Sequence, residues 1–172
     1  MFDKFGEFDS FGELNRAAAA QLMEGDTDAV HALAKENGLD PEDAEDYIAG
    51  DVSELCTARM AALGKLMVEA EDLKPEEIMQ DWLSYIRVQV MERDDMCLAV
   101  RKKGKSLRGC IAVLLAWSFR HAKEVDREVV KEAAKTVKEI STRAGGRAWL
   151  GIPGMGTAHT LIREYYCGGV KK

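Results

Sequence analysis

The residues most suited to chemistry are basic side chains in the second half of the chain. One cluster surrounds a glycine, a second set recurs at i, i+4, i+8 and i+11, and two arginines flank a glycine pair. The set comprises Arg101, Lys102, Lys103, Lys105, Arg108, Arg127, Lys131, Lys135, Lys138, Arg143 and Arg147. Because Lys and Arg release counterions from phosphates, this pattern predicts a nucleic-acid-binding surface.

The same basic residues have an ordinary structural interpretation. Glu128, Glu132 and Glu139 are interleaved with the helical set, at spacings where side chains of opposite charge meet on a helix. The run Arg101-Lys-Lys103 comes just before Gly104, where cations complement the negative end of a helix dipole. A solvated face with internal ion pairs therefore stays an alternative to a nucleic-acid surface.

An acidic stretch forms the second candidate site. Glu42, Asp43, Glu45 and Asp46 follow the helix-start signal Asp40-Pro41, in a pair of short helices with the length of a helix-turn-helix. Phosphates would repel four carboxylates on a recognition helix, so we reject DNA binding for this pair. The stretch instead predicts a small acidic module that contacts protein.

Charge divides the chain into two halves. The net charge of −6 combines −14 in residues 1–80 with +8 in residues 81–172. We therefore predict an acidic N-terminal helical module over residues 1–67. A basic helical core, with a Gly-rich loop and a C-terminal helix, follows over residues 68–172. Such asymmetry bears on partners rather than fold, although attraction between the two halves is an equally valid explanation.

Motifs of catalysis and cofactor binding are missing from the sequence. His31, His121 and His159 have no Cys or carboxylate at zinc-like spacing, and no Walker A, dinucleotide or Gly-x-Ser-x-Gly pattern occurs. We predict no metal, no cofactor and no enzymatic activity, with a site assembled only by folding as the alternative. The four cysteines, Cys56, Cys97, Cys110 and Cys167, form no Cys-x-x-Cys pair and are predicted to be free thiols.

The elements that position these residues are predicted to be helices throughout. Helix-start residues precede successive apolar stretches with helical periodicity, and no alternating run is long enough for a sheet. The predicted starts are Ser10, Asp26 or Thr27, Asp40, Asp51, Pro75, Asp94, Ser106, Asp126 and Thr157. We therefore predict an all-α bundle of eight or nine helices.

The centre of this bundle is predicted from the longest apolar run, residues 110–119. A helix that is apolar on every side must be surrounded, and ten residues are too few to span a bilayer. Leu114 and Leu115 are accordingly both predicted to be buried. The first residues lack the basic and apolar regions of a signal peptide, so we expect a cytoplasmic protein without a membrane partner.

Seven short stretches distributed along nearly the full length of the chain form a distinctive set: MFDKFGEFDS (1–10), NRAAAA (15–20), EGDTDAV (24–30), AKENG (34–38), PEDAED (41–46), LGIP (150–153) and IREYY (162–166). In these stretches the chain resembles small helical accessory proteins of prophages and conjugative elements in gut Firmicutes. Some members of this class are anti-CRISPR inhibitors of RNA-guided type II effector nucleases. The resemblance therefore implies a bacterial host cell and an inhibitor function.

Two hypotheses of function follow. The first is a non-enzymatic, anti-CRISPR-like inhibitor that binds an RNA-guided type II effector nuclease with its guide RNA. Its acidic module would enter the positively charged nucleic-acid channel of the nuclease, while its basic half would hold guide RNA or target DNA. The alternative is a DNA- or RNA-binding accessory protein of a mobile genetic element that uses only the basic half. The oligomeric state is left open.

Overall fold

The computed structural model describes residues 4–137, 139–142 and 146–168. Lys138 and Arg143, two of the predicted basic site residues, lie outside these ranges. The helices in chain order are α1 (Phe11–Met23), α2 (Thr27–Glu36), α3 (Pro41–Ala49), α4 (Ala58–Leu73), α5 (Ile78–Glu92), α6 (Asp94–Arg101), α7 (Leu107–Arg120), α8 (Arg127–Ala134), α9 (Glu139–Thr142) and α10 (Met155–Cys167).

The all-α prediction is confirmed. The described residues form nine helices of eight residues or more and one short helix, α9. Two strands of two residues each, β1 (Lys123–Glu124) and β2 (Trp149–Leu150), pair antiparallel and are the only sheet within the described ranges. Among the described residues, no helix has both the length and the apolar character needed to cross a membrane.

The fold consists of two compact units. The first unit contains residues 1–111 and 162–172, and the second contains residues 112–161. The predicted boundary after residue 67 falls within α4, inside the first unit.

The first unit has an apolar core to which α1, α2, α3 and α4 all contribute. Its most deeply buried members include Leu14, Val30, Leu33, Leu55 and Ala61. The predicted helix starts are correct here, because the side chains of Ser10, Asp26 and Asp40 each accept a hydrogen bond from a backbone N–H of the first turn. These caps satisfy donors that have no partner within the helix.

The start of α4 differs from the prediction. Thr57, rather than Asp51, is the N-cap, and its Oγ1 accepts a hydrogen bond from the Met60 N–H at 3.3 Å. The preceding residues follow a non-helical path to Cys56, whose N–H donates to Asn15 Oδ1 and whose carbonyl accepts from Asn15 Nδ2. Asn15 thus satisfies backbone groups that a longer helix would have paired internally.

Two helices of the first unit meet through glycine. The Cα of Gly64, in α4, lies so close to the chain after α2 that an added Cβ would be 2.2 Å from the Asn37 carbonyl oxygen. Gly38, on the opposite side of this contact, has a φ of +67° and would place a Cβ 2.4 Å from the Gly64 oxygen. The approach of these backbones therefore requires glycine at both positions.

Helix α7 is less enclosed than the sequence predicts. Leu107, Cys110 and Ile111 are buried in the first unit, and Leu114 is 1% exposed in the second. Leu115, in contrast, is 53% exposed, and Phe119 is 78% exposed. The prediction of a helix buried on every side is therefore wrong for its C-terminal half. An apolar run shows a preference for burial but does not supply elements to cover each face.

The second unit departs from the prediction at two further places. A continuous helix was expected from Asp126 to Ile140, but α8 ends at Ala134 and α9 begins at Glu139. The last helix begins at Met155 rather than after Thr157. Asp126 does cap α8, where its Oδ1 accepts hydrogen bonds from the N–H groups of Glu128 and Val129.

The glycine contact gives a first stability prediction. Gly64→Ala should destabilise the first unit by about 1–3 kcal/mol, because the new methyl group must displace backbone atoms of α2's C-terminal turn. Gly12→Ala is the matched control, since its Cβ would meet only the flexible Arg16 side chain, at 3.6 Å, and Ser10 Oγ, at 3.9 Å. Urea unfolding should show a lower midpoint for the first variant alone. Equal midpoints would contradict the close approach.

The unequal burial of two adjacent leucines gives a second prediction. Leu114→Asp should unfold the protein or lower its stability by several kcal/mol, because the carboxylate would be buried without a partner. Leu115→Asp should remain folded, with a change within about 1 kcal/mol, because the side chain is half exposed. Circular dichroism melting curves distinguish the two. If both variants lost the fold, the result would support the original prediction that this helix is buried on every side.

Candidate functional site

The acidic surface is built on α3. Ala44 and Tyr47 are buried and fix which side of the helix faces the core. Asp40 caps the helix, Pro41 occupies its first turn, and Gly50 ends it in the left-handed conformation, so its length and direction are well determined. The remaining positions carry the predicted partner-binding residues Glu42, Asp43, Glu45 and Asp46. All are exposed except Asp43, which is half-buried.

The carboxylates of this surface have no basic neighbours to neutralise them. Between Lys35 and Arg59 the sequence has eight Asp or Glu residues and no Lys or Arg. None of the four α3 carboxylates forms a salt bridge within the described ranges. The structure therefore keeps the predicted acidic residues together as a surface of uncompensated negative charge.

A groove of about 310 Å³ adjoins this surface. Asp43 and Asp46 line it from α3, Glu54 lines it from the segment before α4, and Met60 lies in its wall. A side chain that enters the groove would therefore meet carboxylates together with apolar contact area. This combination suits the long stem and charged end of Lys or Arg.

Among the predicted basic site residues, Arg101 is not on the surface. It is 2% exposed, at the end of α6, and its Nη2 donates to Asn37 Oδ1 at 2.7 Å. Asn37 is also buried and donates its amide to the Leu33 carbonyl. A guanidinium enclosed in this way cannot reach a phosphate, so Arg101 stabilises the fold instead of contributing to a nucleic-acid surface.

A second buried cation, Lys65, was missed by the sequence analysis. Its side chain is fully buried in α4, and its ammonium donates to Glu7 Oε1 at 2.5 Å and to the Lys102 carbonyl at 2.9 Å. Glu69, one turn further along α4, accepts a hydrogen bond from the Leu107 N–H at 2.7 Å. Burial raises the pKa of Glu69 above the usual carboxyl range, because water no longer solvates its charge.

Beside these buried charges lies a hollow of about 230 Å³. Glu7, Glu69, Asp72 and Arg108 are among its lining residues. Arg108 donates to Asp72 at 2.8 Å, while Glu7 accepts from Lys65 and from the Gly104 N–H. Because Glu7 and Asp72 are already paired with cations, the hollow has few free charges with which to bind a ligand.

The rest of the basic cluster near Gly104 is only partly available. Lys102 and Lys103 are exposed. Lys105 donates to the Tyr165 carbonyl at 2.5 Å, and its ammonium also lies over the Tyr165 ring. With Arg108 paired to Asp72 and Arg101 buried, two of the five predicted cations in this cluster remain for an outside partner.

The basic set of the second unit is mostly paired with carboxylates. Lys131 donates to Glu128 at 2.6 Å and Lys135 donates to Glu132 at 2.5 Å. Arg147 makes two hydrogen bonds to Glu124 and lies over the Trp149 ring. Arg127 is exposed and forms no salt bridge with any described residue. The structure thus favours the solvated-face interpretation for most of this set.

The thiols are poorly suited to nucleophilic chemistry. All four cysteines are free, and burial raises the pKa of Cys56 and that of Cys110 to about 12. The thiolate is the reactive form, so these two residues are inert near neutral pH. In the part of the chain that the structure describes, no group of three or more His, Cys, Asp or Glu side chains is placed to hold a metal ion.

The different environments of neighbouring cations yield a testable difference in stability. Arg101→Ala should cost about 3–5 kcal/mol, because it removes a buried charge and leaves its polar and acidic neighbours without that partner. Lys102→Ala, at the next and exposed position, should change stability by less than about 0.5 kcal/mol. Urea denaturation of both variants provides the measurement. An unchanged midpoint for Arg101→Ala would contradict its structural role.

Comparison with known proteins gave no match of any kind. No protein-family model matches the chain. No curated protein and no solved structure matches it either.

Proposed function

We propose that this protein acts by binding, and that its acidic surface on α3 occupies a basic nucleic-acid-binding site of another protein. The observation that supports this most directly is the absence of any salt bridge at Glu42, Asp43, Glu45 and Asp46 among the described residues. Four close carboxylates without cations can take the place of phosphates in a site that Lys and Arg line.

The class of partner comes from the resemblance to accessory proteins of mobile elements. An RNA-guided type II effector nuclease holds its heteroduplex in a positively charged channel and reads the backbone rather than the sequence. A rigid acidic helix is suited to such a channel, because it requires charge and spacing but no base-specific contacts. We therefore propose a non-enzymatic inhibitor of the nuclease–guide complex.

The geometry of the first unit supports this mode of binding. The surface lies on a helix anchored by Ala44 and Tyr47, so the carboxylates are held in place before a partner arrives. The adjoining groove, lined by Asp43, Asp46 and Glu54, would accept a basic side chain from the partner. Opposite charge on the two proteins would also speed their association.

The alternative function, a DNA- or RNA-binding accessory protein, has less support. It depends on the basic residues, of which Arg101 is buried and Arg108, Lys131, Lys135 and Arg147 are paired. An exposed ion pair has to open before its cation can neutralise a phosphate. Of the predicted basic residues that the structure describes, Lys102, Lys103 and Arg127 are exposed without a salt bridge and would remain for nucleic-acid contact.

Charge reversal on α3 tests the proposed function. The quadruple variant Glu42→Lys, Asp43→Lys, Glu45→Lys and Asp46→Lys should stay folded. It should bind a purified nuclease–guide complex at least about tenfold more weakly, because the carboxylates would be replaced by cations that the channel repels. The measurements are the affinity for the complex and the inhibition of target cleavage in a purified assay.

The matched control reverses four exposed carboxylates elsewhere in the first unit, in Glu71→Lys, Glu76→Lys, Asp81→Lys and Glu164→Lys. It changes the net charge equally, so a loss confined to the α3 variant isolates the acidic surface. Inhibition that survives the α3 reversal would contradict the proposal. Tight binding to bare duplex DNA, with a log–log salt slope of about −0.9 per phosphate and no inhibition, would establish the accessory function instead.

A further inference from the structure

The second unit exposes an unusual amount of apolar surface. Trp149 is 50% exposed and Leu150 is 62% exposed, and Ile152 and Met155 follow with similar exposure. Leu115 and Phe119 of α7 are exposed in the same unit. Clustered exposed apolar side chains generally mark a place where a protein meets a partner or a membrane.

The contacts of Gly151 place the segment after β2 against the end of α7, where Phe119 is exposed. A Cβ on Gly151 would lie 2.0 Å from the Ser118 oxygen and 2.8 Å from the Ala122 Cα, so the chain after β2 lies directly against the end of α7. Leu150 and Ile152 flank Gly151 in sequence, and Phe119 follows Ser118. Leu115 and Phe119 are four residues apart, which places them on one face of α7. We call these six residues, Leu115, Phe119, Trp149, Leu150, Ile152 and Met155, the apolar patch.

Two exposed cations lie next to members of the apolar patch. Arg120 follows Phe119 in α7, and neither Arg120 nor Lys123 makes a salt bridge to a described residue. Lys123 is the cross-strand neighbour of Leu150, which places the two side chains on the same face of the β1–β2 pair. Glu124, the nearest carboxylate in sequence, is already engaged by two hydrogen bonds from Arg147.

We propose that the apolar patch is a docking surface for an anionic lipid bilayer, bound peripherally. Trp149 and Leu150 are consecutive strand residues and therefore point to opposite faces. A flat protein partner would cover one of them, whereas the interfacial region of a membrane surrounds an inserted segment and covers both. Tryptophan is favoured at this depth, and the exposed Arg120 and Lys123, which make no salt bridge to a described residue, match the negative charge of the headgroups.

A single-stranded nucleic acid fits the same patch less well. Four of its six residues are aliphatic or Met, and these offer no ring on which a base can stack. One face of Trp149 is already covered by the Arg147 guanidinium, 5.2 Å from the ring centroid. A second copy of the chain would bring the cations of one patch against those of the other. Neither objection applies to a lipid surface. The proposal of lipid binding does not depend on the function proposed for α3.

Vesicle binding by the full chain tests the proposal. The protein should sediment with vesicles of phosphatidylcholine that contain about one third phosphatidylserine, and roughly tenfold less with phosphatidylcholine alone. The double variants Leu150→Asp with Ile152→Asp and Arg120→Glu with Lys123→Glu should each bind about tenfold more weakly or less. Tryptophan fluorescence should shift to the blue on binding, and Trp149→Phe should remove most of that shift.

Matched controls lie in the first unit. Met91→Asp with Leu98→Asp changes two exposed apolar side chains, and Arg16→Glu with Lys35→Glu reverses two exposed cations. Both should bind vesicles as the unaltered protein does, and circular dichroism should show all variants folded. No vesicle binding, equal binding to neutral and anionic vesicles, or unchanged binding by the patch variants would overturn the proposal. The proposal would also be overturned if the protein did not bind lipid but formed a dimer or an oligonucleotide complex that Leu150→Asp disrupts.

Discussion

The buried ammonium of Lys65 is the interaction on which the first unit most depends. Through its bonds to Glu7 and to the Lys102 carbonyl, it joins α4 to the segment before α1 and to the turn after α6. Glu69, on the same face of α4, receives the first N–H of α7. An ammonium without water is tolerated only when it is paired, so these segments must come together for any of them to be stable.

The buried and the exposed basic residues have different structural roles. Lys65 and Arg101 are buried and hold segments of the first unit together, whereas Lys131 and Lys135 belong to local ion pairs on the surface of the second. Among the described cations of residues 81–172, Arg101 is buried and six others form salt bridges, namely Arg93, Arg108, Lys131, Lys135, Arg147 and Arg163. The total positive charge of the C-terminal half therefore overstates the charge that is available to nucleic acid.

The sequence was sufficient wherever a local rule determines the structure. The caps at Ser10, Asp26 and Asp40 and the exposure of the α3 carboxylates follow from propensities within a few residues. It was insufficient where the result depends on distant segments. Asn15 accepts a hydrogen bond from the Cys56 N–H before α4 begins. Gly64 allows the backbone at the end of α2 to approach α4 closely, and Arg101 donates a hydrogen bond to Asn37. The hydrophobic periodicity of the sequence does not reveal any of these contacts. The exposure of Leu115 likewise cannot be predicted locally, because it depends on which elements cover α7.

The carboxylates of the acidic surface lower the stability of α3, and no salt bridge with a described residue compensates for this loss. Glu42 and Asp43 near the start of α3 are favoured by the helix dipole, but Asp46 lies at the beginning of the last turn of this nine-residue helix, where the dipole opposes a negative charge. Glu42 with Glu45 and Glu42 with Asp46 are like-charged pairs at i,i+3 and i,i+4, and such pairs destabilise a helix. In the second unit, by contrast, Glu128 and Glu132 each have a lysine three residues away. The α3 carboxylates therefore weaken the helix that carries them and form no salt bridge with a described residue, which is the feature on which the proposed basic partner rests.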